Sequence, residues 1–441
     1  MQNTVPEWLK KASVYQINPR TFCSEGTIKA IIKELPFLKE LGFEIIYLCP
    51  IFEEDDSEDR AYWSERQKKS ATNNPKNPYR MNDYFKIDSE YGSMDDLREF
   101  VYEVHRLGMK AMLDLVYFHI GPNAPILKQH PEFAKLDEDG NIFLGEWHFP
   151  VFNYENDGLC EYLWSNMVYY IGEIGVDGFR CDVGDRVPLD FWEEGKRRIK
   201  AINPQVIMIN EGKRADYLNV FDVNYGFYWH SCIFDLLKGE ITAADVIETH
   251  TAVSSDYPQN ALVLRDMDNH DTVTDWPYRI EEHFGSDCME LILALNYSID
   301  GVPMVYCGNE LADKACLSMF ANRFFMGSFE VTDREALKNT IKGKRRIEIV
   351  KKLNAIKKEN EALQSGKTEW IKTDHPTVLA FSRVSENEKM MFIGNYSKEA
   401  VDIMIESGDI LLSNNAEINQ GNVMLDAYGY IIMRGNTYYE F

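Results

Sequence analysis

Residues 176–188 read VDGFRCDVGDRVP, a short apolar run that turns polar and stops at Pro188. Side chains on a strand alternate between its faces, so Phe179 and Cys181 share one side and Arg180 and Asp182 the other. A guanidinium beside a carboxylate favours the ionised form and lowers its pKa, which suits a nucleophile. The same pair also serves as a plain structural ion pair, and a match this short does not separate the two readings. Its surroundings do.

Working outward, SVYQINPRTF (13–22) reads as a strand, and Ile28, Ile31, Ile32, Leu35 and Leu38 fall at helical spacing before Gly42. Pro36 is expected to kink or interrupt that helix. FEIIYLCPIF (43–52) is a continuous apolar strand of the kind buried on both faces. After a polar loop to about Met81, Ser93 and Asp96 form a capping box for a helix that ends at Gly108, and the strand KAMLDLVYFH (110–119) follows at once. The pattern breaks over 120–152 and then resumes, with strands at 176–182, 206–210, 219–226, 261–268 and 302–308 separated by helical stretches. Eight strand–helix units predict an α/β fold, a (β/α)8 TIM barrel over 1–119 and 153–365. The segment 120–152 reads as a short loop-rich insertion after the third strand. From 366 to 441, short alternating runs between turn residues predict a small C-terminal antiparallel β domain, expected as a β-sandwich.

With 45% hydrophobic and 13% aromatic residues, the 441-residue chain is globular and long enough for a barrel with additions. A net charge of −24 repels nucleic acid, so none is expected as a partner. No apolar run approaches the roughly 18 residues of a membrane span, and the start, MQNTVPEWLKKASVYQ, lacks a signal-peptide core, which reads as cytoplasmic with no membrane partner. The eight cysteines are scattered without a C-x-x-C pair and are expected to be free thiols.

Catalytic groups of such a barrel stand at the C-terminal ends of its strands. There the sequence places Asp114 and His119 (third strand), Arg180 and Asp182 (fourth), Glu211 (fifth), and His270 and Asp271 (seventh). A carboxylate beside an arginine should stay ionised, while one at the end of an apolar run should hold its proton longer. That division is what a retaining glycosidase uses. Tyr79, Tyr84, Phe118, Trp147, Trp229 and Trp276 could offer faces to sugar rings, although each is as readily a core residue.

These segments resemble the α-amylase family of glycoside hydrolases. DLVYFH (114–119) is similar to its first conserved segment, GFRCD (178–182) to the second, VIMINEG (206–212) to the third, and Asn269, His270 and Asp271 to the fourth. YRMNDY (79–84) and GVPMVYCGNE (301–310) add to the likeness. The resemblance implies Asp182 as nucleophile, Glu211 as general acid/base and Asp271 as the group that holds ring hydroxyls in the transition state. It implies substrate contacts from Tyr79, Asp114, His119, Arg180 and His270. Three departures bear on specificity or metal binding. Phe118 stands where the family has a calcium-ligating asparagine, Asp185 and Arg186 replace a Lys-His pair on the leaving-group side, and the insertion is short. The expectation is an α-glucan oligosaccharide substrate cleaved at α-1,4 bonds with retention, no catalytic metal, and no cofactor required for the chemistry. A transglycosylase, an α-1,6-acting glucosidase and a non-catalytic sugar- or protein-binding relative are the alternatives.

Overall fold

The computed structural model describes residues 5–258, 261–275, 279–321, 332–404, 408–419 and 422–435. Among these, eight parallel strands close a barrel: β1 (Val14–Ile17), β2 (Ile45–Leu48), β3 (Lys110–Leu115), β4 (Gly178–Cys181), β5 (Ile207–Asn210), β6 (Val223–Tyr225), β7 (Leu262–Arg265) and β8 (Val302–Tyr306). Each pairs with its neighbours in sequence, and β8 returns to β1 with Val14 opposite Met304. Both faces of the strands are buried, which is why they read as unbroken apolar runs. Ile45, Met112, Ile207, Leu262 and Met304 fill the lower interior together with Leu9 and Ala12 from the N-terminal segment.

The helix Ile28–Leu41 begins at Thr27, whose hydroxyl accepts from the Ala30 N–H, and ends at Gly42 in the left-handed conformation, φ 96°. It runs through Pro36 rather than breaking there. Pro36 is exposed, so the carbonyl it leaves without an intrahelical partner is on the side where water can reach it. The Ser93–Asp96 capping box forms as the sequence indicates. No helix among the described residues is long and apolar enough to cross a membrane, and none of the eight cysteines forms a disulfide.

The strands of the C-terminal part form one connected antiparallel sheet. Its strands are β9 (Lys367–Trp370), β10 (Val378–Val384), β11 (Lys389–Asn395), β12 (Val401–Met404), β13 (Gly408–Asn419) and β14 (Asn422–Gly435). The long β14 changes partners along its length, pairing β12 through Asn422–Leu425 and β11 through Tyr430–Arg434, while β13 follows its other edge. Val378, Met391, Val423, Leu425, Ile431 and Met433 from these strands pack into one buried cluster. The sheet meets the barrel where Gly394 approaches Leu291 so closely that a Cβ would stand 2.6 Å from its side chain.

The polar loop after β2 matters most for the site. A two-stranded ribbon (Phe52–Glu54 with Met81–Ile87) closes its ends, and Arg80, with no solvent exposure, gathers its turns. Arg80 donates to the carbonyls of Tyr62 (2.6 Å), Pro75 (2.7 Å), Asp55 (3.2 Å) and Ser57 (3.3 Å). Buried carbonyls without donors cost roughly 1–3 kcal/mol each. Arg80→Met is therefore expected to lower stability by about 2 kcal/mol or more and to open residues 55–80 to limited proteolysis while the barrel persists. An unchanged melting temperature and an uncut loop would refute this role.

Candidate active site

Asp114 on β3 and Arg180 on β4 stand opposite each other in register. Arg180 is 1% exposed. Its Nη1 donates to Asp114 Oδ1 (2.9 Å) and to Asp182 Oδ1 (2.7 Å), and its Nε to the Tyr225 hydroxyl (3.3 Å). Its Nη2 lies 2.9 Å from Glu211 Oε1, an ion-pair distance without hydrogen-bond alignment. One guanidinium thus serves three carboxylates from three adjacent strands.

The turn after Asp182 fixes the geometry between nucleophile and acid candidates. Val183 has φ 38° and ψ 45°, a left-handed conformation that strains a β-branched residue by about 1–3 kcal/mol. In return its N–H donates to Glu211 Oε2 at 2.6 Å. Gly184 packs so tightly that a Cβ would lie 2.2 Å from Asn210 Oδ1, and a Cβ on Gly212 would lie 2.1 Å from Asp185 Oδ1. Asp185, which the sequence placed on the leaving-group side, instead accepts from Asn210 Nδ2 (2.8 Å) and from the N–H groups of Lys213 (2.8 Å) and Arg214 (3.1 Å). It clamps the loop that carries Glu211. Arg186 does stay at the rim, where it donates to both Glu146 oxygens (3.1 and 3.0 Å) and lies over the rings of Phe118 and Trp147.

Across the barrel mouth, Gln16 Nε2 bonds His270 Nδ1 (2.9 Å), which leaves the ring proton on Nε2 to donate to the Tyr79 hydroxyl (2.6 Å). Tyr79 in turn donates to Asp114 Oδ2 (3.1 Å), and its ring stacks on His270. Asp271 keeps a third of its side-chain exposure and accepts from Arg66 Nη2 at 2.6 Å.

Asp182, Glu211 and Asp271 line one pocket, with Arg66, Tyr79, His119 and Trp147 also in its wall. Asp114, Arg180 and His270 lie below its floor. Both Asp114 oxygens accept hydrogen bonds, from Tyr47 (2.5 Å), Tyr79 and Arg180, so these three residues hold the lining groups in place. His119 lines the pocket but spends Nε2 on the Tyr79 carbonyl (2.8 Å). Of the candidate aromatic platforms, Tyr79 and Trp147 reach the pocket. Phe118 packs edge-on against Trp147 beside it. Tyr84 and Trp229 are core residues, bonded to the Val116 carbonyl and to Asn296 respectively. Trp276 lies outside the described residues. Arg66 carries no sequence signal, standing in a polar loop without periodicity.

Residues 7–140 match the model of the alpha amylase catalytic domain. The maltogenic alpha-amylase of Bacillus acidopullulyticus is 25% identical over 90% of this chain and 71% of its own length. The alpha-1,4-glucan:maltose-1-phosphate maltosyltransferase of Picrophilus torridus is 27% identical over 98% and 67%. The crystal structure of a maltogenic alpha-amylase, AmyB from Thermotoga neapolitana, superposes with a TM-score of 0.81 at 23% identity, covering 98% of this chain and 100% of that one. These likenesses are to the α-amylase family of glycoside hydrolases.

Within this site the buried charges act on one another. Burial pushes the Asp182 carboxyl up, as does the charge of Glu211, and Arg180 only partly offsets them. Glu211 is raised by burial as well, with Arg180 opposing and Asp271 adding. The asymmetry expected from the sequence, a lowered Asp182 beside a raised Glu211, is therefore absent, because burial outweighs Arg180 at both carboxyls. The pair takes up a proton more readily than free carboxylates do. Asp271 differs: burial opposes its charge, but His270, Arg66 and Arg180 hold it below the usual carboxylate range.

Burial lowers His119 and His270 to about 4. In the unfolded chain they titrate near 6.5, so the unfolded state binds more protons between those values and stability is lost as pH falls from about 6.5 to about 4. Each histidine can remove up to about 3 kcal/mol over that window. His119→Asn is expected to shrink the stability difference between pH 7 and pH 4.5, measured by chemical denaturation. A difference equal to that of the wild type would refute the buried neutral imidazole.

Proposed function

We propose that the chain hydrolyses α-1,4-glucosidic bonds of starch-derived maltooligosaccharides with net retention. The observation that carries this reading is the convergence of Asp182, Glu211 and Asp271 on one pocket, the first two served by a single guanidinium. Asp182 attacks the anomeric carbon while Glu211 gives its proton to the departing glycosidic oxygen. Water, deprotonated by Glu211, then displaces Asp182 from the same carbon, and two inversions leave the anomeric configuration unchanged. The proton that the first step needs is the one the coupled pair holds. Asp271, kept ionised by its cations, is suited to accept two ring hydroxyls and to face the positive charge that develops at the anomeric centre.

The maltosyltransferase relative supports a second reading, in which another sugar replaces water as acceptor. Incubation with maltotriose separates them: shorter products alone indicate hydrolysis, longer chains indicate transfer. In either case Asp182→Ala and Glu211→Gln are expected to lower kcat by about a thousandfold or more without unfolding the protein. Proton NMR of the first product should show the α anomer. A β anomer, or variants with wild-type turnover, would refute the assignment.

Phe118 supplies no oxygen where the family has a metal-ligating asparagine, and it packs against Trp147 and His119. We propose that the enzyme works without calcium. Treatment with EDTA is expected to leave turnover and melting temperature unchanged, and a loss restored by added calcium would refute it.

A further inference from the structure

At the end of the barrel away from the catalytic carboxylates, Leu262 and Val263 at the start of β7, Gly301 before β8, Thr368 of β9 and Arg383 of β10 enclose a second pocket. We propose that it is an anion site, which takes the phosphoryl group of inorganic phosphate or of a sugar phosphate at the seam between the barrel and the C-terminal sheet. None of its residues lines the catalytic pocket, and the site stands whether or not the glycosidase reading does.

The charge balance at this seam is positive. Arg265, Lys357 and Arg383 gather there, each 2% exposed or less. Asp300 is the carboxylate beside them, and it is committed: its Oδ1 accepts from Arg265 Nη2 (2.8 Å) and His250 Nε2 (3.1 Å). The other two cations bond to backbone carbonyls, Arg383 to those of Ser298 (3.4 Å) and Gly366 (2.6 Å), Lys357 to those of Gly301 (3.2 Å) and Leu363 (2.7 Å). Among the described residues, neither has a carboxylate within ion-pair distance. A buried cation without a counter-ion is unfavourable. Burial, with the Arg383 charge adding, lowers Lys357 to about 7, and burial lowers Arg383 to about 10. An anion in the pocket would relieve both.

The wall also carries unused hydrogen-bonding capacity. Among the described residues, Arg383 Nε, Thr368 Oγ1 and His250 Nδ1 are buried without a partner, and all three residues line this pocket. Native structures leave few buried polar atoms unpaired, so their clustering in one wall points to a ligand. A guanidinium has five N–H donors, and Arg383 spends two of them on the carbonyls of Ser298 and Gly366. A phosphoryl group meets a guanidinium and a hydroxyl with strongly accepting oxygens. Its protonated oxygen, or a sugar hydroxyl, can donate to His250 Nδ1, since Nε2 holds its proton toward Asp300.

The test is equilibrium dialysis of the whole chain against radiolabelled inorganic phosphate at pH 7, with ionic strength held constant by chloride. Saturable binding of about one phosphate per chain is expected. Arg383→Met should weaken it by about tenfold or more, and Thr368→Val by about fivefold. Thr368→Val removes a hydroxyl that bonds nothing in the protein, so it serves where Arg383→Met does not fold. Competition by glucose 6-phosphate separates the two sources. Displacement at concentrations below those of phosphate itself assigns the site to a sugar phosphate, and displacement only above them assigns it to the free ion. Absence of saturable binding of either compound below about 20 mM would overturn the proposal. Undiminished binding to a folded Arg383→Met would overturn it as well, as would undiminished binding to Thr368→Val where Arg383→Met does not fold, since the phosphate would then sit elsewhere.

Discussion

A guanidinium buried with 1% exposure and shared among three carboxylates is the contact on which the site depends. Arg180 could not be kept charged in the barrel without them, because an isolated buried cation costs several kcal/mol. They in turn would repel one another without it. The arrangement exists only because β3, β4 and β5 are adjacent and in register, with Asp114 opposite Arg180 and Arg180 opposite Ile209. Barrel closure and site assembly are therefore the same event.

Register alone does not set the angle between Asp182 and Glu211. That comes from the strained turn at Val183 and from the clamp that Asp185 places on the Glu211 loop. Gly184 and Gly212 are glycines because a side-chain carbon at either position would collide with that clamp. The strain and the two glycines act together: they let the backbone on both sides pass close enough for an N–H of one strand end to hold the carboxylate of the next.

The barrel was legible in the sequence because its strands are buried on both faces and read as unbroken apolar runs, and because Ser93, Asp96 and Gly42 mark helix ends by local chemistry. The three carboxylates were legible by position, at the ends of those runs. What was not legible is who faces whom. Arg180 is two residues from Asp182, yet it serves Glu211 as well, so a pKa argument from sequence neighbours missed the larger effects of burial and of the second carboxylate. The motif that holds Asp114 and His270 did not show that they bond Tyr47, Tyr79 and Gln16. Arg66 and Arg80 belong to a loop with no periodicity, and their partners are backbone carbonyls and a residue 205 positions away.

The balance of charge around the pocket has a consequence for catalysis. Among the described residues, Asp114, Asp182, Glu211 and Asp271 face Arg180 and Arg66, and burial keeps His119 and His270 neutral near pH 7. Among these residues that leaves an excess of negative charge, which proton uptake on the Asp182–Glu211 pair relieves. A substrate passing through an oxocarbenium-like state supplies positive charge at the anomeric carbon, beside Asp182 and Asp271. The carboxylates are held in place beforehand by Arg180, Val183 and Arg66, so little reorganisation is needed when that charge appears. The proton leaves Glu211 for the departing oxygen at the moment its negative charge is best compensated by the sugar. The same excess that raises the proton affinity of the pair thus suits the pocket to a positively charged transition state.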